Sequence, residues 1–151
     1  MSAFVKSVDT ILYGRKTYDL AMKLGGISMF GPRIKHYVFS RKLRQPKPGV
    51  EFVSEPIPAF VKRLRKQPGK HIWMMGGAEI IGAFLDAGLI DEFMVHVIPV
   101  YIGEGVPLMA PRRRTTLLQL AATRRFSDGV VRLHYKVERP QAPRKKSARR
   151  K

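Results

Sequence analysis

Trp73-Met74-Met75-Gly76-Gly77-Ala78-Glu79-Ile80-Ile81 limits the choice of fold more than any other stretch of this chain. An apolar run ends on two adjacent glycines, and a helical pattern begins at once. A strand handing over to a helix in this way brings free N–H groups of the first helical turn to the end of a sheet. Glycine there lets the backbone approach a pyrophosphate closely. By itself the pair also fits a tight turn with no ligand. A second junction of the same kind lies upstream at Gly14-Arg15-Lys16-Thr17. Two such junctions in one chain point to a sheet that binds a phosphorylated ligand.

The remaining pattern supports that sheet. Ser2 to Val8 reads as the end of a helix and Thr10 to Tyr13 as a buried strand. Lys16 to Leu24 reads as a helix stopped by Gly25-Gly26. Strands follow at Lys35–Phe39 and Val50–Val53, then a helix from Pro58 to Lys66. A strand from His71 to Met75 leads into a helix from Ala78 to Ala87. Glu92 to Val100 reads as one long strand. Leu117 to Phe126 and Val130 to Val137 are joined by the turn signal Ser127-Asp128-Gly129. This order predicts an α/β protein of three layers, α/β/α, with a mostly parallel sheet and an antiparallel C-terminal hairpin. Ligands of such sheets sit beyond the carboxyl ends of the strands.

Composition narrows the class. A chain of 151 residues is long enough for one domain with a core, here residues 1–138. No apolar run reaches the ~18 residues of a membrane span, and no secretory leader is evident. The absence of cysteine removes disulfides and thiolate metal sites and suits a cytoplasmic location. The net charge is +18, and seven of the basic residues lie in the tail 139–151, leaving +11 on the body. That tail has no acidic residue and nothing to bury, so disorder is expected. It fits a solvated tail with no partner first, and otherwise non-specific attachment to nucleic acid or an anionic membrane.

Three strand ends carry phosphate-binding chemistry. Gly14, Arg15, Lys16 and Thr17 offer a turn, a bidentate cation and a hydroxyl. Ser40, Arg41 and Lys42 repeat the hydroxyl and cations, and Gly76 and Gly77 supply the close approach. A 2′-phosphorylated dinucleotide would use the glycines for its pyrophosphate and the cations for its extra phosphate. Singly, each of these cations also fits an ordinary solvated charge. No proton donor stands out. Asp9 suits a strand-entry cap, Asp19 a helix surface, and Glu79 the positive end of a helix dipole. His36, His71, His96 and His134 lack metal-ligand spacing, so no metal is expected.

The segments YGRKTYD, VFSRK, MMGGAEIIGAFLDAGLIDEF and VIPVYIGEGVPLM resemble the dihydrofolate reductase-like reductases. They are most similar to the C-terminal reductase domain of the bifunctional riboflavin-biosynthesis deaminase-reductase and its stand-alone relatives. The resemblance covers roughly residues 4–137. It implies an NADPH-dependent oxidoreductase that transfers a hydride to a C=N or C=O bond of a small heterocyclic substrate. Arg15 and Thr17 would then contact cofactor phosphates, and Ser40 and Arg41 would flank the 2′-phosphate and adenine. Gly76, Gly77, Ala78, Glu79 and Ile80 would line the pyrophosphate and nicotinamide side. Tyr18, Pro99, Tyr101 and Gly103 would border the substrate, with core packing an equal alternative for Tyr18. A homodimer is implied as well.

The family carries an N-terminal strand, a loop over the nicotinamide and a helix before the equivalent of Val8-Asp9-Thr10, where this chain has seven residues. Two expectations follow: translation starting upstream of Met1, or a remnant completed by a partner strand or inactive. A non-enzymatic nucleotide- or nucleic-acid-binding protein on the same scaffold is the alternative function.

Overall fold

A computed structural model describes residues 3–42, 45 and 47–138. The tail 139–151, with its expected disorder, lies outside them. The chain forms two compact units. One holds the described residues up to Leu89 together with Gly103–Arg113; the other holds Ile90–Ile102 and the described residues from Arg114 onward.

The first unit contains α1 (Ala3–Lys6), β1 (Val8–Gly14), α2 (Arg15–Lys23), β2 (Lys35–Phe39), β3 (Val50–Val53), α3 (Ile57–Leu64), β4 (His71–Gly76) and α4 (Ala78–Asp86). A short 3-10 turn at Ser28–Phe30, which the sequence pattern had not signalled, lies between α2 and β2. The four strands pair in the order β3-β2-β1-β4, each contact parallel. Strand β1 is central, and Thr10, Ile11, Leu12 and Tyr13 along it are all buried. A strand covered on both faces must be apolar on both, which is why this stretch does not alternate.

Side chains on the two faces build two cores. On one face Ile11, Tyr13 and Val38 pack with Tyr18 of α2, and Phe4, Phe30, Phe52 and Trp73 close around them. On the other face Tyr37 and Phe39 of β2 meet Phe60 of α3, with ring centroids 5.0 and 5.1 Å apart. Phe39 also meets Phe84 of α4 at 5.5 Å. Helix α3 buries Phe60, Val61 and Leu64, the i, i+1, i+4 stripe expected of a helix lying on a sheet. Helices on both faces give the three expected layers.

The second unit is a three-stranded antiparallel sheet, order β5-β7-β6, from β5 (Glu92–Val97), β6 (Leu118–Arg125) and β7 (Val131–Val137). The hairpin joins β6 and β7 as expected, and Asp128 Oδ1 accepts from Val130 N at 3.1 Å in its turn. Strand β5 pairs antiparallel with β7, so it shares a sheet with the hairpin and not with the parallel strands. Its alternation of Phe93, Val95 and Val97 with Glu92, Met94 and His96 suits that pairing. It ends at Val97 and not at Val100, because Pro99 has no N–H to give a ladder.

Candidate functional site

The carboxyl ends of β1, β2 and β4 form one row along the edge of the parallel sheet. Gly14 is in register with Phe39, the residue before Ser40, and Tyr13 is in register with Gly76. The three turns singled out in the sequence are therefore neighbours. Ser40 N donates to Val53 O at 2.9 Å, which ties the end of β2 to β3.

Helices α2 and α4 both start at this edge, from adjacent strands. Each has a glycine at its N-cap, Gly14 and Gly77, and neither cap makes a side-chain hydrogen bond. A helix leaves its first N–H groups without intrahelical partners. Two sets of such donors thus open side by side. The positive ends of both helix dipoles add to them.

The glycines are required by packing as well as by approach. Gly77 has φ 100 and Gly76 φ 130, a region other residues rarely enter. A Cβ on Gly77 would lie 2.9 Å from Thr17 Oγ1, so the first turn of α2 sits directly against the start of α4. A Cβ on Gly14 would meet Ile80 Cγ2 at 3.2 Å. Ile80 is accordingly buried, packed against Gly14.

The polar residues of the row divide into two kinds. Arg15 pairs with Asp19 one turn along α2, both side chains remaining partly exposed. Lys16, Arg41 and Lys42 flank the same edge, and Arg41 and Lys42 are exposed. Ser40 is engaged within its own turn. Its Oγ donates to Lys42 O at 2.9 Å and accepts from Lys42 N at 3.3 Å. The hydroxyl closes its own turn and so shapes the loop that presents Arg41.

Glu79 and Ala78 begin α4. Glu79 carries an exposed carboxylate, and Arg112 reaches it at 3.3 Å while bonding Asp86 at 2.6 Å. Ala110 N donates to Ala78 O at 3.1 Å. The segment 103–113 is thereby strapped along α4, starting at its first turn. Sequence reasoning missed Arg112, because no local spacing connects it with carboxylates 33 and 26 residues away.

Of the substrate-side candidates, Tyr18 is 2% exposed and lies in the core, edge-on to Tyr13 and Phe52. Burial, and secondarily Asp19, push its hydroxyl above the usual phenol range. Pro99 and Tyr101 belong to the second unit; Gly103 begins the later stretch of the first, with φ 66. Tyr101 is fully exposed. The most perturbed pair is Tyr13 and His36, whose Oη and Nδ1 are 3.0 Å apart inside the core. Burial raises the Tyr13 hydroxyl strongly, with Tyr18 adding to it, and lowers the His36 ring. Among the described residues no group of His, Asp or Glu is arranged to hold a metal. No described helix is long and apolar enough to cross a membrane.

The family model of the RibD C-terminal domain matches residues 4–132. The chain belongs to that family. Its fold is accordingly the dihydrofolate reductase-like α/β fold, and the family is a riboflavin-biosynthesis reductase-like one. The uncharacterized protein YyaP of Bacillus subtilis (strain 168) is 36% identical over 148 residues, covering 87% of this chain and 76% of that protein. YwjB of the same organism is 34% identical over 134 residues, covering 89% and 76%. Among solved structures, a Shewanella sp. PV-4 protein provisionally assigned to riboflavin biosynthesis superposes with a TM-score of 0.79 at 21% identity, over 91% of this chain and 78% of that one. A pyrimidine reductase-like protein of Corynebacterium diphtheriae gives 0.61 at 18% identity, over 88% and 77%. These structural likenesses carry the fold.

Proposed function

We propose that this chain is an NADPH-dependent reductase that transfers a hydride to a C=N or C=O bond of a heterocycle. One observation carries the reading: two glycine-capped helices start side by side at adjacent strand ends, with cations around them. That donor set fits a dinucleotide diphosphate with a further phosphate. The bound cofactor supplies the hydride, and the protein's task is to bind and orient it. The first turn of α4, reached over Gly76 and Gly77, receives the pyrophosphate. Thr17 holds it from α2, and Arg15 and Arg41 meet the 2′-phosphate, Arg41 from the turn that Ser40 closes. Arg112 keeps α4 and the segment beside it in place. Membership of the family supports reductase chemistry, and the pyrimidine reductase-like neighbour supports a heterocyclic acceptor.

Calorimetric titration with NADPH and NADH tests the reading. Replacing Arg15 or Arg41 with Ala removes a charge-assisted phosphate bond of about 1.5–3 kcal/mol. NADPH should weaken roughly tenfold or more, and NADH far less. Equal losses for both cofactors would refute the assignment of the cations to the extra phosphate.

We extend the same reading to a homodimer. Strand β6 lies at a sheet edge, all eight of its residues are exposed, and it presents Leu118 and Leu120 to solvent. A second copy would cover such an edge.

A further inference from the structure

The opposite edge of the parallel sheet has a different character. Here the amino ends of β1, β2 and β4 meet the loop that leaves α3. Asp9 accepts from Lys70 N at 2.5 Å and from Thr10 Oγ1 at 2.9 Å, so both its oxygens are engaged within the protein. A Cβ on Gly69 would lie 2.8 Å from Asp9 Oδ2, so the loop folds tightly around this carboxylate. A shallow hollow here is lined by Lys35, Arg65 and Lys70, and it adjoins, across Gly69 and Lys70, an open surface beside Lys6.

These cations come from three separate parts of the chain, α1, β2 and the loop between α3 and β4, and the topology gathers them. A helix dipole accounts for a cation just after α3, such as Arg65. It does not account for Lys6 and Lys35, which belong to α1 and β2, or for Lys70 at the far end of the loop. Lys70 Nζ donates to Lys6 O at 3.0 Å, and Lys35 Nζ to Gln67 Oε1 at 3.3 Å. An ammonium has three N–H groups, so each bond leaves donors for a ligand. Among the described residues no carboxylate forms an ion pair with Lys35 or Lys70. The Asp9 carboxylate, which also lines this surface, offsets part of the positive charge, and a bound anion would relieve the repulsion that remains.

We propose that this hollow is a second anion site, one that takes a free di- or triphosphate group, inorganic or at the end of a nucleotide. It is independent of the cofactor assignment above. The length of β1 sets it about 20 Å from the glycine turns, since a strand rises about 3.3 Å per residue.

The test is calorimetry on the full chain carrying Arg15→Ala and Arg41→Ala, which strips the opposite edge of two cations. Inorganic triphosphate should still bind. Adding Lys35→Gln and Lys70→Gln should weaken it roughly tenfold or more, as expected for charge-assisted bonds. Should that combination fail to fold, Lys35→Gln alone, at an exposed side chain, is read in the same way with a smaller loss. ADP binding as tightly as pyrophosphate at this site identifies the phosphates as the recognised group, and tighter ADP binding identifies a nucleotide. No triphosphate binding in the Arg15→Ala/Arg41→Ala protein overturns the proposal. So does binding that the lysine replacements leave unchanged, which would place the anion on the basic tail or elsewhere.

Discussion

Replacing Gly77 with Ala perturbs the contact on which the candidate site is built. Gly77 sits at φ 100 and ψ 127, where a residue with a Cβ is strained by about 1–3 kcal/mol. The new Cβ would also lie 2.9 Å from Thr17 Oγ1 and 3.6 Å from Ile80 Cγ2. Moving Thr17 off its rotamer adds about 0.5–1.5 kcal/mol. Together these predict a loss of about 2–4 kcal/mol. In a chain of 151 residues that lowers the melting temperature by about 5–15 °C. Thermal and urea unfolding measure it, with Gly88→Ala as the control. Gly88 has φ 64 but nothing within 4 Å of its Cβ position, so that variant carries backbone strain alone. Thr17→Ala removes the clashing oxygen, so Gly77→Ala should cost about 0.5–1.5 kcal/mol less in that background. A Gly77→Ala protein that melts with the wild type would refute the strain argument. An identical cost in both backgrounds would refute the contact with Thr17.

Two further outcomes follow from the structure. His36 is buried and its ring lies below the ordinary 6.5, so below that pH the unfolded chain takes up a proton that the folded chain resists. Its contribution is flat above about pH 6.5 and falls with acid by at most about 1.4 kcal/mol per pH unit; urea midpoints across that range should slope, and His36→Gln should flatten the slope. If β6 is covered by a second copy, sedimentation should give a dimer that Leu120→Lys converts to monomer, whereas a wild-type monomer at all concentrations would remove that reading.

Much of the fold was legible because the chain punctuates it. Strands β2 and β3 have the predicted bounds, since charge and glycine stop each apolar run. The glycine turns were legible for the same reason, and the parallel register then sets them side by side. Strand β5 was overread through Pro99, where apolar character continues but hydrogen bonding stops. Its place in the antiparallel sheet was encoded in the alternation of Phe93, Val95 and Val97, which reads as a continuous run if Met94 is counted as apolar. Ser40 could not be resolved from sequence. A serine after a strand serves a ligand or its own backbone equally well, and here its hydroxyl bonds Lys42 within its own turn. Arg112 and the Tyr13–His36 pair depend on contacts between distant segments, which no local pattern records.

The most direct test of the central claim is amide hydrogen exchange with and without saturating NADPH. The account predicts slowed exchange confined to three segments, 14–17, 40–42 and 76–80, because the cofactor engages the first-turn N–H groups of α2 and α4. Protection elsewhere, or none at these turns despite NADPH binding, would contradict it.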